Sequence, residues 1–127
     1  MKPIRLLAAA CLPAACLLSS AAWAQDMVQV MGSNAKVVLE NDRVRVIEIE
    51  VEPGASTGMH SHAGDQLVVF LSGGQATQTN ADGSSKTMER KPGEVAWSGP
   101  VTHDTRNSGK QKVHTLVIEL KDAPAAP

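Results

Sequence analysis

Cysteine is nearly absent: the chain of 127 residues has two, Cys11 and Cys16. Both fall in the first two dozen residues. From residue 25 onward the sequence therefore has no disulfide, no thiolate metal ligand and no cysteine nucleophile, and any metal there needs nitrogen and oxygen donors. Aromatic residues are as scarce, with no Tyr, one Phe and two Trp. That excludes a platform on which nucleic-acid bases could stack. An excess of basic charge is also missing. The formal net charge is −1, and Lys and Arg are interspersed with Asp and Glu rather than gathered in a stripe, so nucleic acid is not an expected partner.

The longest apolar stretch, residues 6–22, is short for a membrane span. Lys2 and Arg5 precede it, and Ala22-Trp23-Ala24 follows with the small-x-small pattern read by signal peptidase. The pattern predicts a secretory signal over residues 1–24, cut after Ala24, and a periplasmic or otherwise secreted protein with no membrane attachment afterwards. Lys2 and Arg5 leave with it, so Lys+Arg falls from 12 to 10 against 13 Asp+Glu, a net charge of about −3. What remains is the size of one domain.

Residues 25–35 read as a polar lead-in, either an arm or an edge strand. From residue 36 to 121 the chain reads as short strands separated by turn chemistry: 36–40, 43–51, 66–71, 75–80, 85–90, 94–98, 103–107 and 112–121. Asn41-Asp42, Pro53-Gly54, Gly73-Gly74, Asp82-Gly83, Pro92-Gly93 and Gly99-Pro100 punctuate them. In 43–51 the apolar phase changes between Val46 and Ile47, which predicts a bulge or a strand buried on both sides. No segment carries a helical period. The fold class is all-β, an antiparallel barrel or jelly roll, followed by a disordered tail over 122–127.

The stretch GASTGMHSHAGDQLVVFLSG (54–73) organises the domain. His60 and His62 stand two apart, and on an extended strand both rings point to one face, as a metal ion requires. Gln66 follows four residues later, and His103 lies far along the chain in another strand-and-turn stretch. By parity His103 shares a face with Thr105 and Asn107. His114 shares one with Leu116, Ile118 and Leu120, the face expected to point inward. It reads either as a barrel-lining histidine bonded to a neighbour or as a catalytic base contacting substrate. Asp65, Asp104 and Arg106 fall on the outward parity. Met59, Phe70 and Trp97 read as core, with Trp97 also a candidate for the mouth of a pocket.

These residues resemble the two motifs of the cupin superfamily. Gly54, His60, His62 and Gly73 match the first motif in spacing, with Gln66 where the family usually carries Glu. Pro92, Gly93, His103 and Asn107 match the second, its usual Pro-x-Gly appearing as Gly99-Pro100-Val101, one residue short. The resemblance spans roughly 36–121 and implies a cupin β-barrel with one divalent metal ion (Fe, Mn or Zn) held by His60, His62 and His103, with Gln66 as the fourth candidate. Glutamine offers only a neutral carbonyl oxygen, so the set would leave the ion its full charge and bind it less tightly. The alternative is a polar, metal-free pocket. The implied function is a metal-dependent enzyme, dioxygenase-like, acting on a small organic molecule. A metal-dependent isomerase or cyclase and a non-catalytic module that binds a small ligand or a metal are the alternatives, and association into a homodimer through the sheets is the implied quaternary state.

Overall fold

The computed structural model describes residues 25–122. The expected signal peptide (1–24) and all but the first residue of the expected tail lie outside the described residues. Nine strands are present among them: β1 (Ala35–Glu40), β2 (Val44–Val51), β3 (His60–His62), β4 (Gln66–Phe70), β5 (Gly74–Asn80), β6 (Ser85–Arg90), β7 (Val95–Ser98), β8 (Val101–Asn107) and β9 (Val113–Leu120). They form a five-stranded sheet in the order β1-β2-β9-β4-β7 and a four-stranded sheet in the order β3-β8-β5-β6. Every pairing is antiparallel. The all-β, antiparallel jelly-roll expectation is met.

β2 pairs with β9 without a break, so its phase change is that of a regular strand with apolar residues on both faces, and the bulge lies in β1. Val37 pairs with Ile47, but Leu39 pairs with Val46, so Val38 is an extra residue in β1. Ile47, Ile49 and Val51 face inward by plain alternation and are buried, and Val44 and Val46 are half-buried on the other face.

The lead-in is neither an arm nor a strand. Met27–Met31 forms a short helix, α1, whose first turn is capped by Asp26 accepting from the Val28 N–H (3.0 Å), and Gly32–Asn34 continues as a 3-10 turn. Five residues are too few to show a period, which is why the pattern gave no warning. Met27 joins Ala35, Ile47, Ile49 and Val117 in the buried cluster, with Val28 and Met31 packed against it.

The position of α1 shapes the cavity. The helix packs on β1 and β3, one edge strand from each sheet, and the Gln25 carbonyl accepts from the Ser61 N–H (2.9 Å). It thereby closes one side of the sandwich. On the other side the edge strands are β7 and β6, and no ladder joins them. Gly58 is fixed by the same contact. Its φ is +81°, and a Cβ there would meet Val30 Cγ1 at 2.5 Å, so only glycine fits both the backbone and the helix.

Candidate metal centre

In the four-stranded sheet His60 pairs directly with His103, and His62 lies one inward position further along β3. A strand side chain alternates faces, so all three rings enter the space between the sheets. They meet edge-on, with ring centroids 4.9 Å apart for His60–His62, 4.8 Å for His60–His103 and 5.5 Å for His62–His103. One nitrogen from each lies within 4.8 Å of the other two. All three residues are buried, as is Gln66, which comes from β4 of the opposite sheet and lines the same cavity.

The hydrogen bonds decide which nitrogens face one another. His60 Nδ1 donates to the Gly58 carbonyl (2.7 Å), which leaves Nε2 as a free lone pair. His62 Nδ1 donates to Glu119 Oε1 (2.7 Å), a residue of β9 in the other sheet. Glu119 is held in turn by Arg45 (3.5 Å), its direct partner on β2, and Arg45 forms a two-point ion pair with Asp26 at the start of α1. Thr57 and Asp104 fasten the loop ahead of β3: Asp104 Oδ1 accepts from the Gly58 N–H (3.0 Å) and the Thr57 hydroxyl (3.2 Å), and Thr57 Oγ1 accepts from the Thr105 N–H (3.0 Å). Ring orientation is thus set by outer partners, as it is around metal-ligating histidines generally.

His60 Nε2, Gln66 Oε1 and His103 Nδ1 are buried polar atoms with no hydrogen-bond partner among the described residues. Leaving such atoms unpaired costs roughly 1–3 kcal/mol each. A divalent cation taking nitrogen and oxygen donors would relieve that cost, so the residues present fit the ion that the resemblance implies. Burial pushes the His60 imidazole below its usual range. His103 is pushed down to about 4, by burial first and then by its histidine neighbours. Both rings are neutral at pH 7, the form that ligates.

The metal-free protein should lose stability on mild acidification. The folded pKa of His103, about 4, lies below its unfolded value of 6.5, so the unfolded chain takes up the proton first. The contribution is complete above pH 6.5 and is lost as pH falls toward 4, about 3 kcal/mol in all and roughly 2 kcal/mol of it before pH 5. Urea midpoints of the chelator-treated protein at pH 7 and pH 5 measure it, and equal midpoints would refute it.

Several expected site residues fall elsewhere. His114 is not inward: its β9 neighbours Thr115 and Val117 are buried and line the cavity, whereas His114 is on the outer face and hydrogen-bonds Glu48 Oε1 at 2.7 Å. The expectation that His114 points inward, on which a catalytic role rested, is corrected accordingly. The cause is that both faces of β9 are apolar, so alternation alone gave no inside. Trp97 is 59% exposed and Met59 43%, so neither is core, although Trp97 touches the cavity rim and Phe70 is a cavity wall. Asp104 is a fastener of the loop before His60 rather than a free surface charge. Asp65 and Arg106 are exposed, as expected. Glu119 and Thr57 were missed. The available signal for Glu119 was a lone carboxylate sharing parity with Val113, Thr115 and Val117.

A two-sheet antiparallel barrel with a buried histidine cluster opening on a cavity defines a histidine-pocket β-barrel. Among solved structures it is similar to a cupin domain from Bordetella pertussis Tohama I (30% identity, 68% of this chain and 91% of that one, TM-score 0.64). It is also similar to a cupin superfamily protein from Desulfitobacterium hafniense DCB-2 (22%, 69% and 76%, 0.55) and to the polyketide cyclase RemF from Streptomyces resistomycificus (25%, 72% and 70%, 0.53). No protein-family model matches the chain, and a search of curated proteins gives no match either. The chain belongs to the cupin superfamily.

Proposed function

We propose that this protein is a metal-dependent enzyme, dioxygenase-like, that acts on a small organic molecule. The observation that carries the reading is the set of buried, partnerless donors, His60 Nε2, Gln66 Oε1 and His103 Nδ1, in a cluster whose His62, Gln66 and His103 line a cavity of about 340 Å³. His60, His62 and His103, with Gln66 as the fourth candidate, would hold the ion. Bound there, it would supply Lewis-acid or redox chemistry. The chain's own residues bind and orient. His62 is locked by Glu119, His60 by Gly58, and Val68, Ala76, Ala96 and Val117 give the cavity apolar walls. No carboxylate lines the cavity among the described residues, so a reaction that begins with proton abstraction lacks a carboxylate base, the histidines and Lys86 being the basic side chains there. That favours redox chemistry over isomerisation.

The test is elemental analysis of the purified protein, then oxygen uptake with a panel of small organic acids after anaerobic loading with Fe(II). Iron near one per chain with substrate-dependent uptake supports the proposal. Zinc or manganese with no uptake defeats it and favours a cyclase, the second reading, which the similarity to RemF supports. A chain that takes up no metal favours a ligand-binding module.

The periplasmic address belongs with this proposal. Gln25 and Asp26, the first residues after the expected cut, already make fold contacts, so cleavage after Ala24 would leave the domain whole. No helix among the described residues is long and apolar enough to cross a membrane.

A homodimer is proposed through the outer face of the five-stranded sheet. Leu39, Val46, Ile118, Leu67 and Trp97 form one continuous row across all five strands. Leu39 and Trp97 in it are 48% and 59% exposed, an uninterrupted apolar band of the kind that marks an interface. Sedimentation should give twice the chain mass for wild type and a monomer for Trp97→Glu. A monomeric wild type would rule the dimer out.

A further inference from the structure

The reading above leaves the substrate class open, and the charges around the cavity narrow it. β6, the free edge of the four-stranded sheet, turns Lys86, Met88 and Arg90 into the cavity. Lys86 and Arg90 are the charged residues lining it among those described, and Asp and Glu contribute nothing. The charged side chains of the lining thus make the cavity electropositive even before any ion is considered.

Arg90 is held in place. Its Nη1 donates to Glu94 Oε1 (2.6 Å), Nη2 approaches Met88 Sδ (3.4 Å), and the guanidinium stacks 5.1 Å from the Phe70 ring centroid. Its Nε is nonetheless buried and without a hydrogen-bond partner among the described residues. A fixed guanidinium with an unspent N–H is suited to a carboxylate, which it recognises by planar geometry as well as charge. Glu94 does not line the cavity, so it orients the arginine from outside.

The spacing gives the ligand a shape. Phe70, beneath Arg90, is four residues from Gln66 on β4, about 13 Å along the strand. Between the two ends the cavity is walled by Val51, Val68, Ala76, Met88, Ala96 and Val117. Lys86 sits nearer the histidines: it pairs with Gln78, which pairs with Thr105, the next inward position after His103.

We propose that the cavity takes an elongated organic anion, a carboxylate on an apolar body, with its carboxylate on Arg90, Lys86 steering it in over the open β6 edge, and its other end at the histidine cluster. This rests on the reading of the cavity as a substrate site, but not on the identity or presence of the metal.

Three probes of equal chain length test it by isothermal titration of the whole protein: octanoate, octan-1-ol and octylamine. Octanoate should bind at least tenfold more tightly than the other two. Arg90→Met should lower octanoate affinity about tenfold and Lys86→Met about threefold, with octan-1-ol changed less than twofold, which would show that the cavity is intact. The preference should persist in the His60→Ala/His62→Ala variant. Equal affinities, no binding of any probe, a preference that survives Arg90→Met with Lys86→Met, or one that disappears with the histidines would each overturn the proposal. A chain that takes up no metal yet prefers octanoate would uphold it while removing the enzyme reading.

Discussion

His60→Ala/His62→Ala is expected to bind no divalent ion, whereas the wild-type chain should carry about one. The variant removes two of three nitrogens that lie within 4.8 Å of one another and leaves His103 with the neutral carbonyl oxygen of Gln66, two donors too few to hold an ion. The substitutions should not unfold the protein, since the core cluster of Met27, Ala35, Ile47, Ile49 and Val117 is separate from them. Unchanged far-UV circular dichroism checks that. A finer version of the experiment changes Glu119→Gln. Glutamine can still accept from His62 Nδ1–H, but the negative charge that raises ligand basicity is gone, and affinity should fall tenfold to a hundredfold in chelator competition. Ion retained by the double variant would break the assignment. An affinity unmoved by Glu119→Gln would remove the outer-partner argument alone.

Asn107→Ala is expected to cost about 3–4 kcal/mol, a large share of the stability of a domain this size. Asn107 ends the second motif, yet its amide faces backbone rather than any ligand. Nδ2 donates to the carbonyls of Val51 (2.8 Å) and Gln111 (2.7 Å), and Oδ1 accepts from the Gly109 N–H (3.0 Å). It ties the end of β2 to the turn between β8 and β9. Truncation deprives the Val51 and Gln111 carbonyls of their amide donor at a position 2% exposed, while the Gly109 N–H keeps the Gln75 carbonyl (3.1 Å), and each carbonyl that water cannot reach costs roughly 1–3 kcal/mol. Asn107→Asp keeps the volume but sets an acceptor against two carbonyls, and it should be at least as damaging. Urea unfolding measures both. A loss below about 1 kcal/mol for either would show that the amide is dispensable.

Much of the site could be read from residues close together in sequence. His60 and His62 share a face because they are two apart on a strand, and Asn41-Asp42, Asp82-Gly83 and Pro92-Gly93 mark turns because few other residues make them cheaply. The meeting of His103 with His60 followed from the resemblance, not from alternation, and the strand order came from the tertiary structure alone. Alternation failed where both faces of a strand are apolar. On β9 the row His114, Leu116, Ile118, Leu120 is more hydrophobic than Val113, Thr115, Val117, Glu119, and yet the second row is the inner one. The same holds on β7, where Trp97 is outside and Ala96 and Ser98 are inside.

The sequence by itself determined an all-β chain, two histidines on one face, a third in reach of a matching motif, and the absence of any thiolate donor after residue 24. Those properties are local, set by period, turn chemistry and residue type. The tertiary structure decided which face of β9 and β7 looks inward, that Glu119 steadies His62 from the opposite sheet, and that α1 closes one side while β6 leaves the other open. A strand has two faces of equal standing, and only its hydrogen-bonded neighbours, here as far apart in the chain as Val44 and Leu120, choose between them.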